Sequence, residues 1–497
     1  MGQEPLESTR TGPPTQLKKI SDCVWELPIS YKKGMLVPAR IYANEELIKT
    51  MDAGVFEQVT NVASLPGIQE YAFCMPDGHW GYGFPIGGVA AFDPEQGGII
   101  SPGGIGFDVN CGMRLITTNL TINEVKPKIK ELVDALYKAV PAGVGCKGFV
   151  KVSKDQFKEV MIHGAQWCQE NGYATAEDIE CIEDKGKIKG ADPSKVSDKA
   201  IKRGLDQLGT LGSGNHYLEI QEVKKENIFD PESAKIMGIT GPGQIVIMVH
   251  CGSRGFGHQI GTDYLRTFLE VMPKYGIKIL DPELACAPFK SKEGQDYYAA
   301  MACAANMAFA NRQVIQHRIR EVFSQIFKKT PEEMEIKLVY DVAHNIAKLE
   351  KHKINGQWKE LLVHRKGATR AFGPARSADL PAKYAKIGQP IILGGSMETG
   401  SYLLLGTDHA DQETFASTAH GAGRTMSRAA AKREVRGDQL VKDMEKQGIY
   451  VHAVTMSGLA EEAGKAYKDI NAVVETLEKT GITKRVVALK PIGNVKG

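Results

Sequence analysis

A chain of 497 residues with 42% hydrophobic and 24% charged residues has the composition of a globular protein with room for a large core. Its net charge of +3 is too small to argue a polyanionic partner from bulk charge, so such a partner must be read from local clusters. No run approaches the ~18 uncharged apolar residues of a membrane helix, the opening "MGQEPLESTRTGPPTQLKK" lacks the apolar stretch of a secretory signal, and nine cysteines without a CxxC pair suit neither a disulfide framework nor a zinc ribbon.

An intracellular, cytoplasmic location with no membrane partner is therefore expected, with a nuclear pool if the source is eukaryotic. Residues 1–15, rich in Gly, Pro, Ser and Thr, read as a disordered tail, leaving 16–497 as one domain. Helices are expected over 122–139, 154–170, 258–275, 293–326, 422–435 and 468–479. Strands are expected over 245–250, 336–344, 391–395, 401–406 and 486–492. Their irregular alternation gives an α+β fold class, a single large mixed α/β domain. Several strands end directly in a glycine or histidine cluster, where backbone amides and side chains converge on a ligand.

The first such cluster, "SPGGIGFDVNCGMR" (101–114), sets Asp108 and Cys111 behind a glycine-rich turn. Histidines recur in the same style in "PDGHWGYGFPIGG" (76–88), "LGSGNHYLE" (211–219), "VHCGSRGFGHQ" (249–259), "YDVAHN" (340–345) and "AHGAGR" (419–424). Asp108, Cys111, His216, His250 and His344 together supply enough N, O and S ligands for two metal ions, and a thiolate has the lone pairs to bridge both. A binuclear centre holds the attacking and leaving oxygens in phosphoryl chemistry. Ligand softness alone leans to zinc. "HGAGR" reads as a glycine loop opening a helix, a site for phosphate oxygens, with the His420 imidazole as a nucleophile toward phosphorus. Arg424, Arg428, Lys432 and Arg436 follow at four-residue spacing. With Arg365, Lys366, Arg370, Arg376, Lys202 and Arg203 they read as an RNA or nucleotide phosphate track.

In order along the chain, "PDGHWGYGFPIGG", "GGIGFDVNCGMR", "LGTLGSGNHYLEI", "HCGSRGFGHQ", "YDVAHNIAK", "LVHRKGATRAF" and "HGAGRTMSR" resemble the RtcB family of RNA-splicing ligases from about residue 20 to the end. The resemblance implies the RtcB-type domain with a central metal and nucleotide cleft. It also implies GTP- and manganese-dependent joining of RNA ends, a 2′,3′-cyclic phosphate or 3′-phosphate to a 5′-hydroxyl, as in tRNA splicing and RNA repair. It assigns one Mn²⁺ to Asp108, Cys111 and His216 and a second to Cys111, His250 and His344, replacing the lean to zinc. His420 becomes the guanylylated nucleophile. GTP contacts are implied for Asn215, His216, Tyr217, Leu218, Glu219, His344, Asn345, Gly394, Gly395, Ser396, Met397, Ser401, His420, Gly421, Ala422, Gly423 and Lys496. RNA contacts are implied for Arg203, Arg254, Lys366 and Arg428. RNA, GTP and an activator such as archease are the implied partners. Gly78, Cys251 and Glu398 depart from the family pattern, and Glu398 sets an acid beside the nucleotide loop. A binuclear phosphoesterase would use the same metal ligands without His420 or GTP, and a non-catalytic RNA-binding scaffold would need neither.

Overall fold

"QIVIMVHC", the strand Gln244–Cys251, is buried along its whole length, as a β-branched run can be when its sheet is covered on both faces. The computed structural model, which describes residues 12–497, sets this strand inside a sheet. The order is Lys337–Ala343, Gly112–Thr121, Gln244–Cys251, Tyr217–Ile228, Thr483–Lys496, Ser401–Gly406 and Pro390–Gly394. Every neighbouring pair is antiparallel. A short strand, Tyr450–Ala453, runs parallel to the C-terminal one. Residues 1–11, which hold most of the expected tail, lie outside the described residues. Gly12 donates its N–H to Met51 O at 3.1 Å.

The other large sheet is ordered Lys18–Ser21, Val24–Leu27, Ala39–Tyr42, Ala72–His79, Ile86–Phe92, Gln357–Lys366 and Asn345–Ile354. Only the pair Ala39–Tyr42 and Ala72–His79 is parallel. The chain crosses between the sheets at His344, which follows Lys337–Ala343 of one and precedes Asn345–Ile354 of the other. Two hydrophobic clusters back the two sheets, and the mixture of sheets and helices makes a single α+β domain.

The helix Lys292–Phe327 explains how the first of these sheets is covered. Its sequence from Ala300 to Gln316 is buried without a break, and its small side chains let it be surrounded on all sides. Ser291 starts it by accepting the Gly294 N–H, an N-cap that satisfies one of the free amides of the first turn. Among the described residues no helix is long and apolar enough to cross a membrane.

Three expected helices differ in their limits. The segment 122–139 is interrupted by a 3-10 turn at Lys126–Lys128, where Pro127 lacks the N–H to continue an α-ladder. The segment 154–170 breaks at Gly164, whose φ is 57°. The helix expected over 422–435 is only Arg428–Glu434. Upstream of it Gly421 forms a β-bridge with Gly394 and Arg424 one with Tyr467. Gly423 has φ 75°, and a Cβ there would lie 2.1 Å from Asp77 O. Ser427 caps the true start through the Ala430 N–H. "HGAGR" is therefore an extended glycine strap and not a helix N-terminus.

Candidate metal and nucleophile centre

Antiparallel pairing brings alternate strand starts and strand ends to one edge of a sheet. Here that edge carries His344 just after Lys337–Ala343, Cys111 just before Gly112–Thr121, His250 near the end of Gln244–Cys251, and His216 just before Tyr217–Ile228. The register is tight: Ala343 opposes Gly112, Met113 opposes His250, and His250 opposes Tyr217. Ligands scattered over more than two hundred residues of sequence thus meet through strand pairing alone.

Cys111 sits at the middle. Its Sγ lies 3.3 Å from His216 Nε2 and 3.2 Å from His250 Nε2, and His250 Nε2 lies 3.2 Å from His344 Nε2. Asp108 reaches the same point because the turn closes with the Cys111 N–H donating to Asp108 O at 2.9 Å. Its Oδ2 is 2.9 Å from His216 Nε2. The donors form two triplets, Asp108, Cys111, His216 and Cys111, His250, His344, each within 4.8 Å, sharing the thiol.

Electrostatics tests whether this set suits a cation. Burial pushes the Cys111 thiol up to about 12, and Asp108 adds to it. Burial and the surrounding imidazoles hold His250 and His344 well below the usual histidine range, so both are neutral with lone pairs to offer. Burial also opposes charge on His216, yet Cys111 and Asp108 outweigh it and push that imidazole well up. The donors therefore favour positive charge at their centre. A divalent ion would supply it and displace the thiol proton. The Nδ1–H of His216 donates to Leu211 O at 3.0 Å, which turns Nε2 toward Cys111 and Asp108.

The support behind these ligands escaped sequence reasoning. Arg312, fully buried on the long helix, pairs with Asp341 through Nε and Nη2 at 2.8 Å each. Its Nη1 donates to Asn110 O and Cys251 O, the residues beside Cys111 and His250. Asn311 accepts from the Gly209 and Thr210 N–H groups and so fixes the loop leading to His216. Nothing in "FANRQV" marks these polar residues as buried. Only the unbroken apolar surroundings hint at it.

His420 lies at the same cavity, its ring centroid 4.8 Å from that of His344. Asp77, 0% exposed, accepts from His420 Nδ1 at 2.6 Å and from the His420 N–H at 3.1 Å through the same Oδ2. With Nδ1 carrying the proton, Nε2 keeps the lone pair. Asp77 was quoted within "PDGHWGYGFPIGG" but assigned no role. Its signal was the lone acid before His79 in a glycine-rich strand end. The same contacts take up the amides expected to cradle phosphate.

The cavity has a volume of about 740 Å³. Asn215, Tyr217, Asn345, Gly394, Gly395, Ser396, Met397, Gly421, Ala422, Gly423, Arg428 and Lys496 line it. Leu218, Glu219 and Ser401 lie behind the lining, all buried. Glu219 accepts from Asn494 at 2.6 Å and Gln221 at 2.7 Å, and burial raises its carboxyl to about 7. Lys496, in the strand Thr483–Lys496, is 4% exposed, with Nζ 3.8 Å from Glu462 and 5.4 Å from the Tyr217 ring centroid. Glu398 faces away from the cavity and accepts the Gly464 N–H.

Much of the expected basic track has partners within the fold. Arg365 pairs with buried Glu350 and Arg370 with Asp184. The Lys366 amine is buried and donates to Tyr82 O and Gly103 O. For Arg365 and Lys366 the cause is position: Gln357–Lys366 is an interior strand whose second half is buried, so these charges meet partners inside the fold. Arg424, Arg428 and Lys432 do not share one free helix face, because Glu461 and Glu462 engage them. Arg203 remains exposed, bonded to Gln259, and Arg254 opens its helix with its N–H on Asp108.

A family model described as tRNA-splicing ligase RtcB matches residues 58–497. A protein named tRNA-splicing ligase RtcB from Methanococcus maripaludis is 52% identical over 479 residues, 96% of this chain and 99% of that protein. Proteins of the same name from Archaeoglobus fulgidus and Pyrobaculum aerophilum are 52% and 51% identical, each over 97% of this chain and 99% of their own. With half the residues shared across nearly its whole length, and with its histidines, cysteine and aspartates meeting at one sheet edge, this chain belongs to the RtcB family.

Proposed function

We propose that this protein is an RNA ligase of tRNA splicing and RNA repair, which uses GTP and two Mn²⁺ to join 2′,3′-cyclic phosphate or 3′-phosphate ends to 5′-hydroxyl ends. The observation that carries the reading is His420, held by a buried carboxylate on Nδ1 and placed beside the metal-ligand cluster. A binuclear phosphoesterase that activates water on its metals would not need this nucleophile or GTP.

The Nε2 lone pair of His420 attacks the α-phosphorus of GTP, and the bond from that phosphorus to the pyrophosphate oxygen breaks. The imidazole gains positive charge as the P–N bond forms, and Asp77 stabilises it across the Nδ1 hydrogen bond. Where the RNA ends in a 2′,3′-cyclic phosphate, water adds to the phosphorus and the bond to the 2′-oxygen breaks; an oxygen of the resulting 3′-phosphate then takes the guanylyl group, breaking the P–N bond and returning His420. The 5′-hydroxyl attacks the activated 3′-phosphate and GMP departs, leaving a phosphodiester. Asp108, Cys111 and His216 would hold one Mn²⁺ and Cys111, His250 and His344 the other, neutralising charge on the reacting phosphates. Tyr217, Ser396 and Lys496, backed by Glu219 and Ser401, serve as the guanosine end of the cavity, and Lys496 can donate to a guanine carbonyl that adenine lacks. Arg254 and Arg428 serve the phosphates, and Arg203 the outer RNA path.

Incubation with α-labelled GTP and Mn²⁺ tests the reading. The parent should acquire an acid-labile, alkali-stable label, and His420→Ala should acquire none. A chain that releases phosphate from RNA ends but never labels is a phosphoesterase.

A further inference from the structure

The metal cluster, His420 and the guanosine end leave part of the cavity lining without a role, and Thr50, Asp52, His79, Trp80, Met426 and Arg433 belong to that part. Trp80 is the large aromatic surface there, half-buried, three residues beyond Asp77. That spacing is about 10 Å of extended chain from the residue that grips His420.

The way Trp80 is held separates it from an ordinary core residue. One side of its ring lies directly on Gly54, where a Cβ would come within 1.9 Å of the six-membered ring. Only glycine in the helix Ala53–Val62 leaves room for this approach. Its indole Nε1 finds no acceptor although it is buried, a cost that a structural tryptophan usually avoids. The ring is thus positioned by packing alone and lines the cavity.

Arg433 is exposed and forms no ion pair among the described residues. The buried Lys468 amine also lines the cavity, held by the backbone carbonyls of Pro76 and Gly78 with the carboxylates of Asp77 and Asp52 acting on it, so Arg433 is the cation left to meet a phosphate. A rigid aromatic face sharing a cavity with an unpaired, exposed arginine is the arrangement that takes a base and its phosphate from single-stranded nucleic acid.

We propose that Trp80 is the stacking platform for the base of the RNA 3′-terminal nucleotide, with Arg433 steering the phosphate that follows it. The proposal rests on the ligase reading, because it is the 3′-phosphate that must reach the guanylyl group on His420. A 3′-phosphate at His420 leaves its own base within about one nucleotide's reach, and Trp80 lines the same cavity three residues from Asp77.

Binding of a 3′-phosphorylated oligoribonucleotide, measured without GTP, tests it. The same strand is also used with an abasic 3′-terminal nucleotide. Trp80→Ala should weaken binding of the intact strand roughly five- to a hundredfold, and Trp80→Phe should restore most of it. The parent should bind the abasic strand as weakly as Trp80→Ala binds the intact one, and the two losses should not add. Equal losses on intact and abasic strands would overturn the proposal, as would a loss that follows the base at a 5′-hydroxyl end. Because GTP is absent, failure of the parent to become guanylylated would count against the ligase reading and leave this result standing.

Discussion

Replacing Asp77 by asparagine removes one charge and almost no volume, and it strikes where His420 is prepared. In the parent a single oxygen, Oδ2, accepts from Nδ1 at 2.6 Å and from the His420 N–H at 3.1 Å. On the proposed mechanism the carboxylate fixes the tautomer and stabilises the imidazolium that develops as the P–N bond forms. A hydrogen bond to a charged partner contributes about 1.5–3 kcal/mol, which corresponds to roughly a ten- to 150-fold change in rate. The loss should appear in single-turnover guanylylation with α-labelled GTP, at saturating GTP. Two metal ions per chain should remain, because Asp77 is not among the donor triplets. Ligation of RNA supplied with a guanylylated 3′-phosphate should fall much less, since that substrate bypasses the first step. Guanylylation of Asp77→Asn at the parent's rate would refute the reasoning.

Cys111→Ser should lose most bound metal by elemental analysis, because a neutral hydroxyl replaces the shared thiolate. Cys251→Ser should keep its metal, since its sulfur bonds only Thr210 O, Leu211 O, Gly252 O and Asn311. Lys496→Ala should slow guanylylation at low GTP about ten- to a hundredfold and narrow the preference over ATP. Arg312→Met should cost about 3–5 kcal/mol in denaturant unfolding, as it leaves part of the buried Asp341 charge uncompensated. Glu462 gives a pH prediction. Burial would raise its carboxyl, but Lys496, Arg428 and Arg424 more than offset this and hold it at about 2 from an ordinary 4.5. A depressed folded pKa stabilises above the unfolded value and is lost as pH falls, so about 3 kcal/mol should disappear between pH 4.5 and 2. Glu462→Gln should flatten that part of the acid-unfolding curve.

The metal donors were legible because each sits in a short glycine- or asparagine-rich strand end with few alternatives for its chemistry. The long helix was legible from length and periodicity. Other features depend on partners that sequence separation hides. Arg365 and Arg370 looked like free cations because Glu350 and Asp184 lie far off in the chain and meet them only through strand pairing and a loop. The Ala- and Arg-rich run 428–434 is a true helix, but its propensity was extended backward through Gly423, where φ is 75°. Asp77 and Arg312 were missed because neither an acid in a turn-like "PDGH" nor an arginine on a helix announces burial. Burial is what gives each its force, in a setting where an unpaired charge is costly.

The fate of the terminal phosphate tests the ligase account most directly. An RNA half bearing a ³²P-labelled 2′,3′-cyclic phosphate is mixed with its 5′-hydroxyl partner, GTP, Mn²⁺ and the protein, and the product is digested. The account predicts that the labelled phosphorus becomes the phosphodiester at the new junction, only when GTP is present and not with His420→Ala. Label that appears solely as a 3′-monophosphate or as free phosphate, with no joined strand, would contradict it.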